Sequence, residues 1–259
     1  MFFDYHYLLD LFPQIIKAFP ITFFIVIVST IAGLLLGLLL AIIRLEKVPL
    51  LNLLTIVYTS FIQGTPVIVQ LFVVYYGVPY LLSLAGVDTA DVSKLTFMYI
   101  AYSLNTAAYM GEIIRASITN VPQHQFDAAY SLGMSKVQTY RHYIIPQAIK
   151  EILPNLELTI VSLLQNSSLA TYLGIYDIMG KAQLVGANTA HQIEASIDAA
   201  VIFIILSIAI HIGFKLFLQS EEEAVDEVSD GVIGASTNRQ IISEKEVQTM
   251  LKEGELRYE

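Results

Sequence analysis

The chain has 259 residues, 55% hydrophobic and 14% charged, and a mean hydropathy of +0.63. A soluble globular domain carries about 25% charged residues, so the composition excludes an ordinary soluble protein and points to a membrane protein; the lack of cysteine excludes disulfides and thiol chemistry. The net charge of −9 is concentrated at the end, where residues 221–259 hold 11 acidic and 4 basic side chains, leaving residues 1–220 with 12 acidic and 10 basic.

Residues 1–19 mix Tyr5, Tyr7, Leu8, Leu11, Phe12, Ile15 and Ile16 with Asp4, Asp10 and Lys17. This pattern is read as an extracytoplasmic, interfacial amphipathic segment or as a lead-in to the first helix. It has no basic region followed by a small-residue cleavage site, unlike a signal peptide. Residues 20–43 are uncharged and long enough for a first span, since a bilayer core of about 30 Å takes about 20 helical residues. Gly33 and Gly37 form a G-x-x-x-G, a pattern that lets helices approach closely. Residues 51–84 are also uncharged, and Gly64-Thr65-Pro66 interrupts them. Proline removes a backbone donor, so one broken helix is expected rather than two spans.

Residues 85–94 form a polar loop. The next span, 95–118, carries Asn105 centrally and Glu112 and Arg115 near its far end. After the polar stretch 121–154, residues 155–174 form a span with Gln165, Asn166, Ser167 and Ser168 in its middle. Residues 175–196 are a polar connection and 199–218 the last span, giving five and an all-α integral membrane protein. Lys and Arg counts set the orientation. Arg44, Lys47, Arg115, Lys136, Arg141, Lys150 and Lys215 fall on one side and Lys17, Lys94 and Lys181 on the other. The richer side is cytoplasmic, with the N-terminus outside and the C-terminus inside. Residues 219–259 read as an acidic, flexible cytoplasmic tail.

The stretch 121–154 has the signals of packed helices. Pro122 suits a helix start, Gly133 a left-handed stop, and Ser135 with Gln138 a capping box. Pro146 and Pro154 punctuate the return to the membrane. A short helix, a glycine turn and a second short helix at the cytoplasmic surface are expected.

Asp127-Ala128-Ala129-x-x-x-Gly133, followed by Ile144-Ile145-Pro146, resembles the cytoplasmic signature of ABC importer permeases, E-A-A, three residues, Gly, nine residues, Ile and Leu-Pro. Gly64-Thr65-Pro66-x-x-x-Gln70-Leu71-Phe72 is similar to the R-G-T-P-x-x-x-Q-x-x-F segment of the polar amino-acid permeases. Ala108-Tyr109-x-x-Glu112-x-x-Arg115 resembles their third span, and Ser168-Leu169 with Gly174 their K-D-T-S-L segment. The likeness covers roughly residues 20–218. It implies the type I ABC importer permease fold, with Asp127, Ala128, Ala129, Gly133 and Pro146 as a coupling loop that docks on an ATP-hydrolysing subunit.

The chain departs from that family at Gln63, in place of Arg, and at Gln165-Asn166, in place of Lys-Asp. At about 1.5 Å per helical residue, Gln63, Asn105 and Gln165 each lie about 16–18 Å from the start of their spans, near the bilayer middle. Polar groups there line a pathway or join helices. Gln63, Thr65, Gln70, Asn105, Gln165, Asn166 and Ser168 are therefore the candidate substrate pathway, and the loss of fixed charges favours a zwitterion such as cystine or glutamine. Glu112 and Arg115, three apart on one helix face, form an ion pair or a gate.

No G-x-x-x-x-G-K-[ST] occurs, so ATP and Mg belong to a partner. The five His show no metal spacing. The resemblance implies, as partners, an ABC ATPase subunit dimer, an extracytoplasmic substrate-binding protein, a second copy or sibling permease, and membrane lipid, but no nucleic acid. The competing reading, an ion-coupled secondary transporter or channel, calls for a central Asp or Glu or an inverted repeat. Neither is seen in the spans.

Overall fold

The computed structural model describes residues 3–219, all helices and connections. The expected acidic tail, residues 220–259, lies outside them. The chain divides into two units, Met1–His211 and Ile212–Glu259. Of the second, only residues 212–219 are described, and they are helical.

Helix α1 (Tyr5–Ile15) is capped by Asp4, whose carboxylate accepts from the His6 amide. It continues through one tight turn, Ile16–Ala18, into α2 (Phe19–Leu45). Helix α3 (Leu51–Gly64) breaks before α4 (Val67–Phe72), which runs through a wide turn, Val73–Gly77, into α5 (Val78–Leu84). The long α6 (Lys94–Asn120) precedes α7 (Gln123–Ser131), α8 (Lys136–Thr139) and α9 (Ile145–Asn166). A 3₁₀ segment, Ser167–Leu173, leads to α10 (Ile178–Thr189), and α11 spans Gln192–Gln219.

Among the described residues, three helical stretches are both long and apolar enough to cross a membrane: Tyr5–Leu45, Val67–Leu84 and Gln192–Gln219. Helices α6 and α9 are long enough but more polar. Helix α6 buries twelve residues, among them Ala101, Ala107, Ala108, Gly111, Ser103 and Thr106. A helix enclosed by its neighbours has little lipid-facing surface and needs no apolar coat all round.

The central seam is α2 against α6. Helix α2 buries Thr22, Ile25, Val26, Ser29, Gly33, Gly37 and Ala41, every third or fourth residue and so one stripe. A Cβ on Gly33 would lie 2.5 Å from Thr106 Cβ, and one on Gly37 would lie 2.9 Å from the Gly111 nitrogen. Only glycine fits, and the G-x-x-x-G read from the sequence is a packing seam. Around it Ile25, Leu71, Met98, Tyr102, Leu163 and Leu164 join α2, α4, α6 and α9 in one core. A second core unites α1, α10 and α11 through Leu11, Ile15, Ile178, Ala182, Ala195 and Ile202. Helix α1 is thus packed onto its own chain by one face. The Glu194 carboxylate also accepts from the Asp4 amide at 2.9 Å, and Tyr7 stacks on His191 at 3.5 Å.

Three expectations are corrected. The polar connection 175–196 holds α10, because Ile178, Ala182 and Val185 share a helical face and Asp177 caps it at the Gly180 amide. Pro154 does not interrupt the return to the membrane. It sits inside α9 on an exposed turn, where the carbonyl it leaves without a donor stays accessible. The second helix of 121–154 is not short, since α8 passes through a π-turn, Tyr140–Ile144, directly into α9, giving unbroken helix from Lys136 to Asn166.

Candidate functional site

The break in the second hydrophobic run creates a local problem. Thr65 and Pro66 are extended (ψ 144° and 138°), so the last carbonyls of α3 have no helical donor, and unpaired carbonyls are costly in hydrocarbon. Gln70, one turn into α4 and only 5% exposed, supplies it. Its Nε2 donates to Ile62 O at 2.7 Å, Thr65 O at 2.9 Å and Thr65 Oγ1 at 3.0 Å. Its Oε1 accepts from Asn105 Nδ2 of α6 at 2.8 Å. Nearby, Tyr58 of α3 donates to Leu104 O at 2.6 Å, fastening α3 to α6.

Beyond Asn105 lies a half-open cavity of about 280 Å³. Helix α6 lines it with Asn105, Thr106, Tyr109 and Ile113, and α9 with Asn155, Leu158, Thr159, Ser162, Leu163 and Asn166, while Val67 of α4 closes one edge. Among the described residues no charged side chain lines it. The polar residues of α9 are spaced four, three and four apart, a stripe on one helical face. The spacing of Asn155, Thr159, Ser162 and Asn166 was readable from the sequence, but only the packing of α9 against α6 turns that face to a cavity.

The structure brings two of the seven sequence-derived pathway residues, Asn105 and Asn166, to this cavity. Gln70 and Thr65 lie behind it, in the bonds that close the helix break. Gln63 is exposed at the end of α3, and its Nε2 donates to Ala108 O at 3.4 Å. Gln165 is exposed, and Ser168 donates to Gln165 O at 2.8 Å. These two stand at the end of α9 and in the 3₁₀ segment after it rather than in mid-helix, because the chain tightens after Asn166 and turns at Gly174 (φ 74°).

Glu112 and Arg115 pair at 2.5 Å, and Arg44 from the last turn of α2 also grips Glu112. One carboxylate between two guanidiniums ties α2 to α6 near the end of the seam.

The 121–154 stretch folds as a protruding turn. Helix α7 begins after Pro122 and ends before Gly133, whose φ of 79° suits glycine. Ser135 and Gln138 form the reciprocal capping box that starts α8. Ala129 is turned into the protein, whereas Asp127, Ala128, Gly133 and Pro146 are exposed. Beside them Leu132 is 79% and Val137 74% exposed, an apolar pair at the tip that no other described residue covers. Phe126 meets Tyr140 edge to face at 5.8 Å, bracing the turn. Lys136 pairs with Glu46 of the α2–α3 connection at 2.6 Å, and that hydrogen bond raises the lysine's pKa above its ordinary value. No group of His, Asp and Glu fit to hold a metal occurs among the described residues.

A membrane-embedded helical protein with a neutral polar cavity and an exposed helical turn is an architecture suited to a transport permease. The chain matches, over residues 33–220, the model of the binding-protein-dependent transport system inner membrane component family, and it belongs to that family. It is 35% identical over 223 residues to the L-cystine transport system permease protein TcyL of Bacillus subtilis (strain 168), covering 86% of this chain and 92% of that one. It is likewise 35% identical over 216 residues to the putative glutamine transport system permease protein GlnP of Rickettsia conorii (strain ATCC VR-613 / Malish 7), covering 80% and 96%. Its fold resembles the crystal structure of an amino acid ABC transporter with histidines, with a TM-score of 0.74, 30% identity, and coverage of 84% of this chain and 98% of that chain.

Proposed function

We propose that this chain is the translocation subunit of an ATP-driven importer for polar amino acids, with a zwitterion such as glutamine or cystine as substrate. The observation that carries this reading is the cavity between α6 and α9, polar but without a charged side chain. A site that neutralises neither end of its ligand by a fixed charge suits a molecule of zero net charge. The family membership and the likeness to amino-acid permeases support the same class.

Five spans are assigned: α2, the broken α3–α5, α6, α9 and α11. The N-terminus faces outside and the C-terminus the cytoplasm. The protruding turn with Asp127, Ala128, Ala129, Gly133 and Pro146 then docks on an ATPase subunit, which holds ATP and Mg. Leu132 and Val137 give that contact an apolar centre. The continuous helix from Lys136 to Asn166 carries movement of the docking turn to the cavity wall without an intervening hinge loop. The cavity's open side would set polar groups against lipid, so a second copy or a sibling permease covers it. An extracytoplasmic binding protein delivers the substrate. Lipid covers the exposed apolar faces of α2 and α5. Glu112 and Arg115, clasped with Arg44, hold the seam during this motion rather than gate it.

The test is reconstitution in vesicles with the ATPase and the binding protein, followed by ATP-dependent uptake of labelled L-glutamine and L-cystine. Uptake is expected with the native turn and is lost with Ala128→Arg, which places charge and bulk on the exposed docking face. Retention of ATPase assembly and uptake in that variant would overturn the docking assignment. No ATP-dependent uptake of any amino acid by the native complex would overturn the function.

A further inference from the structure

Gln70 does not line the cavity, yet its position determines what the cavity offers a ligand. Its amide orientation is fixed by chemistry. The nitrogen lies 2.7 Å from Ile62 O and 2.9 Å from Thr65 O, and a backbone carbonyl can only accept. The reversed amide would set an oxygen against two oxygens inside a helix break. Gln70 Oε1 must therefore face Asn105, and the group there must be a donor, Asn105 Nδ2, at 2.8 Å. Asn105 is thus left with its carbonyl oxygen turned away from Gln70. That oxygen takes no hydrogen bond among the described residues, and Asn105 lines the cavity.

The facing wall reaches the same polarity independently. Asn155 Nδ2 donates to Glu151 O at 2.8 Å, again an acceptor that admits only the nitrogen, and leaves Asn155 Oδ1 without a partner among the described residues. Thr159 uses its hydroxyl proton on Asn155 O at 2.8 Å and keeps its lone pairs. Both residues line the cavity. On α6 and α9 alike, acceptor atoms are left over.

We propose that Gln70 is a positioning residue for substrate selection: by holding the Asn105 amide nitrogen, it presents Asn105 Oδ1 to the cavity, whose acceptor-rich walls receive the ammonium end of an amino acid. An ammonium group brings three donors and no acceptor, which matches these walls. The hydroxyls of Tyr109 and Ser162, which donate to no group among the described residues, are the donors these walls leave for a carboxylate. The inference rests on the amino-acid reading above and specifies which end of the substrate this chain recognises.

The test compares ligands with and without the ammonium group. The complete permease–ATPase complex in lipid nanodiscs is titrated with L-glutamine, L-cystine and their des-amino analogues, with binding followed by thermal shift. The native complex is expected to prefer the amino acid. Gln70→Met keeps the side-chain length but removes both functions of the amide. It is expected to weaken amino-acid binding by about tenfold, the size of one charge-assisted hydrogen bond, while changing the des-amino analogue by less than about twofold. Asn105→Leu leaves the bonds across the helix break in place and is expected to produce the same selective loss, so it carries the test where Gln70→Met fails to assemble. Where both fold, the double variant adds nothing further, because Gln70 acts through Asn105. Equal weakening of both ligand types would make the role purely structural and overturn the inference while leaving amino-acid transport intact. A native complex that binds none of the amino acids would overturn the amino-acid reading and this inference together.

Discussion

Helices α6 and α9 form the two walls of the cavity, and they are built on opposite rules. Helix α6 is held on nearly every side. Its small residues interlock with the glycines of α2, Glu112 is gripped by Arg44, and Leu104 O and Asn105 bond to Tyr58 and Gln70. Helix α9 buries only Ala148, Leu163 and Leu164 among its 22 residues, and Leu158 beside the cavity is 66% exposed. One wall is locked into the body of the chain. The other buries less of its surface and is continuous with the 121–154 turn. If the wall carried by α9 is the one moved in transport, as proposed above, variants on the two walls should behave differently.

The contrast can be broken first on the fixed side. Gly37→Leu drives a side chain into the Gly111 backbone, where neither helix can yield. Overpacking of this kind costs about 1–3 kcal/mol, and the variant is expected to lose thermal stability and complex yield together. On the driven side the effect should fall on function alone. Thr159→Val keeps the shape and removes only the hydroxyl, whose proton bonds within its own helix. Uptake is expected to fall by about tenfold with an unchanged melting temperature. A matching loss of stability would mean that α9 is as firmly held as α6. The smallest effect belongs to Lys136–Glu46, an exposed pair between the docking turn and the α2–α3 connection. Glu46→Gln is expected to change ATPase coupling by less than about twofold, and raising the salt concentration should mimic it in the native protein.

Much of the 121–154 turn's backbone was legible in the sequence because its signals are local. Gly133 takes a left-handed turn, Ser135 and Gln138 cap each other, and neither depends on distant residues. The helix break at Gly64-Thr65-Pro66 was legible for the same reason. The cavity was less so. Asn105 and Asn166 were recognised as polar groups in apolar runs, but Asn155, Thr159 and Ser162, although inside the expected span 155–174, were passed over because their four-, three-, four-residue spacing with Asn166 means nothing until α6 lies opposite. Helix α10 was hidden by its polar composition, since its single apolar face matters only once α1 and α11 lie against it.

The sequence by itself determined that the chain is a helical membrane protein, where its second hydrophobic run breaks, and how its 121–154 turn is capped. These follow from apolar run length, proline and glycine, which act through the backbone nearest to them. Only the tertiary structure decided that Gln70 closes the break instead of lining the pathway, that Arg44 joins Glu112 and Arg115, and that α6 buries far more of its surface than α9. A glutamine in an apolar helix looks the same in sequence whether its amide meets a substrate or a stranded carbonyl. Which of the two it meets depends on a partner eight residues back and another thirty-five residues on, brought together by packing.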